Sequence, residues 1–154
     1  YVDKLQEWYE NNVAKDFPKL RQKALHLLQE EAELNEIVQL VGVDSLSFTD
    51  RLKLETAKSI REDYLHQNAF DEVDTYTSLS KQYLMMELIL AYYDRSLEGL
   101  KKGASIERLV SLPSRERIGR FKYTDEKKID SEFADIKAEL DSDIEKAVSA
   151  KDED

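Results

Sequence analysis

Asp63 and His66 stand three residues apart, the spacing of half a carboxylate-bridged di-iron site. A whole site needs two acid-x-x-His pairs and two further acids on facing helices. The other histidine, His26, has Lys23 three residues before it, a cation where the ligand set needs an anion. We therefore read Asp63 and His66 as a surface acid and a helix-terminal histidine, and assign no metal and no catalytic residue. The chain contains no cysteine, which excludes disulfides, thiolate nucleophiles and cysteine–zinc sites. Neither G-x-x-x-x-G-K-[ST] nor G-x-G-x-x-G occurs, so no loop cradles a nucleotide triphosphate. Neither histidine neighbours a serine in an elbow-like context. Two aromatics stand out. Phe70 lies in the turn-like "NAFDE", and Tyr76 follows six residues later. An aromatic in a turn either plugs the local core or offers a flat face to a ligand.

The elements that must position these residues are helical. Glycine and proline are few, β-branched alternation is nearly absent, and apolar residues recur at helical spacing. The expected fold is all-α, a bundle of about five to seven helices with a long C-terminal helix. Residues 3–12 read as a short helix with Trp8. Asp16 and Pro18 read as the cap and first turn of the next. Its stripe is Leu20, Ala24, Leu27, Leu28, Leu34, Ile37, Val38 and Val41, with a polar notch at Glu31. Gly42 supplies a helix stop, and Ser47 with Asp50 makes a capping box for a helix burying Leu54, Ala57, Ile60 and Tyr64. Val43, Asp44, Ser45 and Leu46 would then form an exposed hairpin tip. Residues 78–98 form the most apolar helix, ended by Gly99 and Gly103. Pro113 opens a short helix. Thr124 or Asp125 caps the last one, striped by Ile129, Phe133, Ile136, Leu140 and Ile144. We divide the chain into a core bundle at 1–103 with the 42–47 loop, an added helix and long C-terminal helix at 104–150, and a frayed acidic tail at 151–154.

The net charge is −10, which disfavours nucleic acid and anionic lipid. The basic run Arg115, Arg117, Arg120, Lys122, Lys127 and Lys128 is diluted by Glu116, Asp125 and Glu126 and reads as a solvated face. The longest apolar run, at 83–93, is broken by Glu87 and is too short to span a bilayer. The N-terminus has neither a signal-peptide pattern nor an initiator Met, and Tyr1 reads as a cut inside a longer chain.

The run "LLQEEAELNEIVQLVGVDSLSFTDRLKLETAKSIREDYLHQNAFDEVDTY", 27–76, resembles the C-terminal helical domain of the catalytic A subunit of A/V-type ATP synthases, more the archaeal kind than the vacuolar. "DFPKLR" and "LMMELILAYYD" are also similar, and beyond about residue 100 the likeness is loose. The resemblance implies the lever domain of a rotary, proton- or sodium-translocating ATPase. The P-loop would lie upstream, so the fragment would be inactive alone and hold no cofactor, while the whole subunit would bind ATP or ADP with Mg. "DSLSFTD", 44–50, takes the place of the F-type "DELSEED" loop, which touches the central stalk. It implies rotor contact through Val43, Asp44, Ser45, Leu46, Ser47, Phe48 and Asp50, with Leu46 and Phe48 as apolar points. The acidic pattern is broken at Ser45, Ser47, Phe48 and Thr49, so contact through shape is the expectation. "HQNAFDEVDTY" resembles the stretch that closes over adenine, which implies Phe70 as the packing aromatic with Ala69 and Tyr76 beside it. Implied partners are the upstream domains, the B subunit and the central stalk. The implied place is cytoplasmic, in the soluble head peripheral to the membrane, without nucleic acid or membrane insertion. The alternative is a freestanding helical protein-interaction adaptor.

Overall fold

The computed structural model describes residues 2–65 and 78–150, with side chains from residue 15 onward, and every regular element among them is helical. The first helix, α1 (Val2–Val41), is continuous and holds Pro18 in its interior. The expected break between residues 12 and 16 is absent. A helix starting at Asp16 would leave its first-turn N–H groups without intrahelical acceptors. A continuous one loses the bond proline cannot make, at about 3 kcal/mol. Phe17 offsets a comparable amount. It is buried, it meets the Tyr83 ring edge-on at 5.7 Å, and the Arg21 guanidinium lies 4.2 Å from its centroid.

Gly42 ends α1 at φ +89°, a conformation that side chains with a Cβ rarely adopt, and its N–H bonds the Val38 carbonyl at 2.8 Å. One 3₁₀ turn, Val43–Ser45, leads to α2 (Phe48–Ser59), capped as expected by Ser47 Oγ accepting from the Asp50 N–H at 3.1 Å. The buried face of α2 is shifted from the expected one. Leu52, Thr56 and Ser59 join Ala57 and Ile60 inside, while Leu54 and Tyr64 are half-buried. Polar residues are tolerated there because the Thr56 hydroxyl donates to the Leu52 carbonyl at 2.9 Å. The polar notch in α1 is likewise satisfied: Glu31, buried, accepts from Arg61 Nε at 3.0 and 3.1 Å and from Nη2 at 2.7 Å. After Ser59 the chain widens into a π turn, Ile60–Leu65.

The central helix is α3 (Leu79–Lys101), buried around most of its girth. Gly103, at φ +99°, follows its end, but Gly99 lies inside it. A Cβ at Gly99 would lie 3.5 Å from both Ile144 and Leu109, so this is a close crossing and not a stop. Short helices α4 (Ile106–Val110) and α5 (Pro113–Arg120) follow. Asp125 then caps a 3₁₀ turn, Glu126–Lys128, that runs into α6 (Ile129–Ser149). Ile136 and Leu140 of α6 are wholly enclosed. Buried Asp143 accepts from the Ser114 N–H at 2.9 Å, so α6 caps α5 from across the bundle.

Part of the basic run is structural, not a solvated face. Arg115 donates to the Val110 and Glu55 carbonyls at 2.9 and 2.8 Å, with its guanidinium 5.1 Å from the Tyr92 ring centroid. Arg117 pairs with Glu132 and with Glu139. Burial pushes the Tyr92 hydroxyl up to about 12, and it donates to the Leu109 carbonyl at 2.8 Å.

Candidate functional site

The α1–α2 hairpin is cross-linked by an ion pair along its length and apolar at its tip. Lys53 of α2 bridges Glu30 of α1 at 2.6 Å and Asp50 at 3.8 Å. The bond to Glu30 raises the Lys53 pKa above its ordinary value, so the amine is charged near neutrality. Ser45 Oγ donates to the Gly42 carbonyl at 2.7 Å and closes the turn on itself. Beyond Leu34 the α1 stripe leaves the core. Ile37, Leu40 and Val41 are exposed, and so are Val43 and Phe48 across the turn. Leu40 is 84% and Phe48 58% accessible. These apolar side chains are exposed at the end of the α1–α2 hairpin, with Asp44 and Ser47 exposed among them.

Leu46 does not belong to that surface. Only 8% of it is accessible, where the sequence suggested an exposed point. The 3₁₀ turn explains the reversal: Leu46 N–H bonds the Val43 carbonyl at 3.1 Å, and the extended backbone that follows (φ −80°, ψ 147°) ends the turn there. Beside the tip lies a cavity of about 300 Å³ lined by Val43, Leu54, Ile106 and Val110, with Arg51, Glu55 and Glu107 at its polar edge. No spacing in the sequence brings α4 to the hairpin, so this feature was not legible there.

Ala69, Phe70 and Tyr76 lie outside the described residues, as does His66. The chain on either side is described. Asp63 faces a shallow cavity of about 590 Å³ that Lys58, Glu62, Arg115, Gly119, Arg120 and Lys122 help to line. Burial pushes the Asp63 carboxyl above the usual carboxylate range, and Glu62 adds to this. Lys122, Arg115 and Lys58 pull the other way. Below the unfolded value near 3.8 the group is protonated in both states. As pH rises toward the higher native value the unfolded chain releases its proton first, and stability falls. Asp63→Asn removes that loss. Its advantage over the parent in urea unfolding is expected to grow between pH 4 and pH 7. An advantage that stays constant across that range would show that the native carboxyl titrates normally.

Fold and tip together define an all-helical bundle presenting an apolar-tipped helical hairpin. A model of the family described as the C-terminal domain of V and A type ATP synthase matches residues 6–110. The chain is 55% identical over 149 residues to the V-type ATP synthase alpha chain of Acetivibrio thermocellus, covering 97% of this chain and 25% of that one. It is 52% identical over the same length to the V-type ATP synthase alpha chain 1 of Clostridium tetani, and 53% to the alpha chain of Clostridium perfringens (strain 13 / Type A). The chain belongs to this family of V and A type ATP synthase C-terminal domains. It spans about a quarter of the length of these relatives. The similarity runs well past residue 100, where the recognisable motifs thin out.

Proposed function

We propose that this chain is the lever domain of the catalytic subunit of a rotary, ion-translocating ATP synthase, and that its hairpin tip bears on the central stalk. The observation that supports the reading is the exposed cluster of Ile37, Leu40, Val41, Val43 and Phe48 at the end of a hairpin braced by Lys53. A stiff helix pair transmits displacement as rigid-body rotation, so a change at its base reaches the tip undiminished. The contact is through shape and apolar surface. Val43, Asp44, Ser45, Ser47, Phe48 and Asp50 frame it, and Leu46 supports it from within. Phe70, with Ala69 and Tyr76, packs on adenine in the whole subunit, where ATP or ADP with Mg is held by upstream domains. Base–aromatic stacking is worth about 1–3 kcal/mol. The B subunit is a further partner, and the domain sits in the cytoplasmic head. No described helix is long and apolar enough to cross a membrane. Relatives of which this chain spans only a quarter weigh against a freestanding adaptor. The test is to place serine at Leu40 and Phe48 in the whole subunit and measure its affinity for the purified central stalk.

A further inference from the structure

The apolar cavity beside the hairpin tip takes its walls from three elements: Val43 from the turn, Leu54 from α2, and Ile106 and Val110 from α4. Ile106 is buried, while Leu54 and Val110 are half-buried and Val43 is exposed. The α2 and α4 walls are tied to each other. One guanidinium, that of Arg115, donates to the Glu55 carbonyl of α2 at 2.8 Å and to the Val110 carbonyl of α4 at 2.9 Å. Charge-assisted bonds are about twice as strong as neutral ones, so α4 cannot slide along α2 and close the hollow without giving them up. The space is therefore held open in the free domain. At about 300 Å³ it has room for about ten waters. An apolar group that replaces water against apolar walls is favoured. The rim is charged. Arg115 already holds the Glu55 carboxylate at 3.5 Å. Arg51 and Glu107 also edge the cavity, from α2 and α4, and pair neither with each other nor with another described residue.

We propose that this cavity is a socket for one apolar side chain, of leucine or phenylalanine size, projecting from a helix of the central stalk. Four apolar corners around a hollow suit the knob of a partner helix. Val43 lines the socket and also belongs to the exposed tip with Leu40, Val41 and Phe48, so one helix lying across the tip covers both. The two rim charges set its register: a carboxylate of the stalk faces Arg51, and a lysine or arginine of the stalk faces Glu107. A preformed socket loses little freedom when it is filled, which favours its use as an anchor point. Naming the stalk as the donor rests on the lever reading above.

The test uses the whole subunit and purified central stalk, with Kd read by surface plasmon resonance. Val110→Phe fills the socket from the α4 wall and Leu54→Phe from the α2 wall. Thermal melts followed by circular dichroism identify which of them folds like the parent. Each folded variant is expected to weaken stalk binding about tenfold or more, the worth of one buried apolar side chain. Arg51→Glu with Glu107→Lys reverses the rim without touching the apolar walls. It is expected to weaken binding several-fold at low salt and less at high salt. Should both filled variants melt early, the reversed rim decides, and parent-like binding at low salt overturns the socket. Leu40→Ser with Phe48→Ser is measured beside them. If a folded, filled socket binds like the parent while the serine variant is weakened, the socket is overturned and the tip reading stands. If filling weakens binding and the serine variant does not, the tip reading fails and the socket stands. If neither changes binding, both fall.

Discussion

Leu140→Ala is expected to lower the unfolding free energy by about 3–4 kcal/mol, the range for deleting a fully enclosed leucine. Leu140 is wholly buried, and Ile136 one turn before it is equally enclosed. Truncation loses the transfer free energy of the removed carbons and leaves a cavity that the flanking helices cannot fill without moving. Ion pairs between α3 and α6 do not compensate. Arg95–Asp141 and Lys137–Glu87 are partly exposed, and such pairs are each worth about 0–1 kcal/mol. A domain of this size is stable by about 5–15 kcal/mol, so a large share would go in one substitution. Urea unfolding followed by circular dichroism measures it, as a shifted midpoint at unchanged slope. The result also bears on how the domain is built, because α6 lies beyond the segment matched by the family model. A loss under about 1 kcal/mol would make α6 an appendage on an independent core. The larger loss makes it part of the core.

What the sequence disclosed and what it hid follow from the range of the interactions. Helix faces and stops are local. Ile129, Ile136 and Leu140 share a face by spacing alone. Gly42, Ser47 and Pro113 announce their turns because each has a backbone property its neighbours lack. Asp143 gives no such signal. Spacing puts it on the apolar face of α6, three residues after Leu140 and seven after Ile136, but only the docking of α5, 29 residues away in sequence, makes it a cap. Arg115 looked solvated because its partners, Glu55, Ser59 and the Tyr92 ring, come from two other helices. Glu31 read as a notch, and its answer was Arg61, thirty residues on. Pro18 misled in the opposite sense: a local rule with a strong prior yielded to the aromatic packing of Phe17. The tip was partly legible. Val43 and Phe48 are exposed, but which of Leu46 and Phe48 faces inward depends on whether the loop coils, and hydrophobicity alone gives both residues the same expectation.

That difference between Leu46 and Phe48 sets up the sharpest experiment on the tip. Serine at Leu40 and Phe48 together is expected to change folding stability by no more than about 1 kcal/mol, since both side chains are exposed and the cap bond beside Phe48 is made by Ser47. Affinity for the central stalk should fall much further. Exposed apolar and aromatic anchors that become buried in a complex are worth about 2 kcal/mol or more apiece, and each 1.4 kcal/mol is tenfold in Kd. The expected loss is therefore about a hundredfold or greater. Leu46→Ala should invert the pattern. Its buried side chain supports folding, so about 2–3 kcal/mol of stability is lost, with weaker stalk binding only as the tip loosens. Asp44→Asn discriminates between shape and charge. Asp44 is exposed and an exposed charge contributes about 0–1 kcal/mol, so under contact through shape its removal shifts Kd by a few-fold at most. Surface plasmon resonance against immobilised central stalk, at low and high salt, reads all three variants. If Asp44→Asn costs more than the double serine variant, and the binding of the parent collapses in high salt, then the tip works by charge and the apolar cluster is incidental. If the double variant binds like the parent, the hairpin tip is not the contact surface, and the cavity between Val43, Leu54, Ile106 and Val110 becomes the next place to substitute.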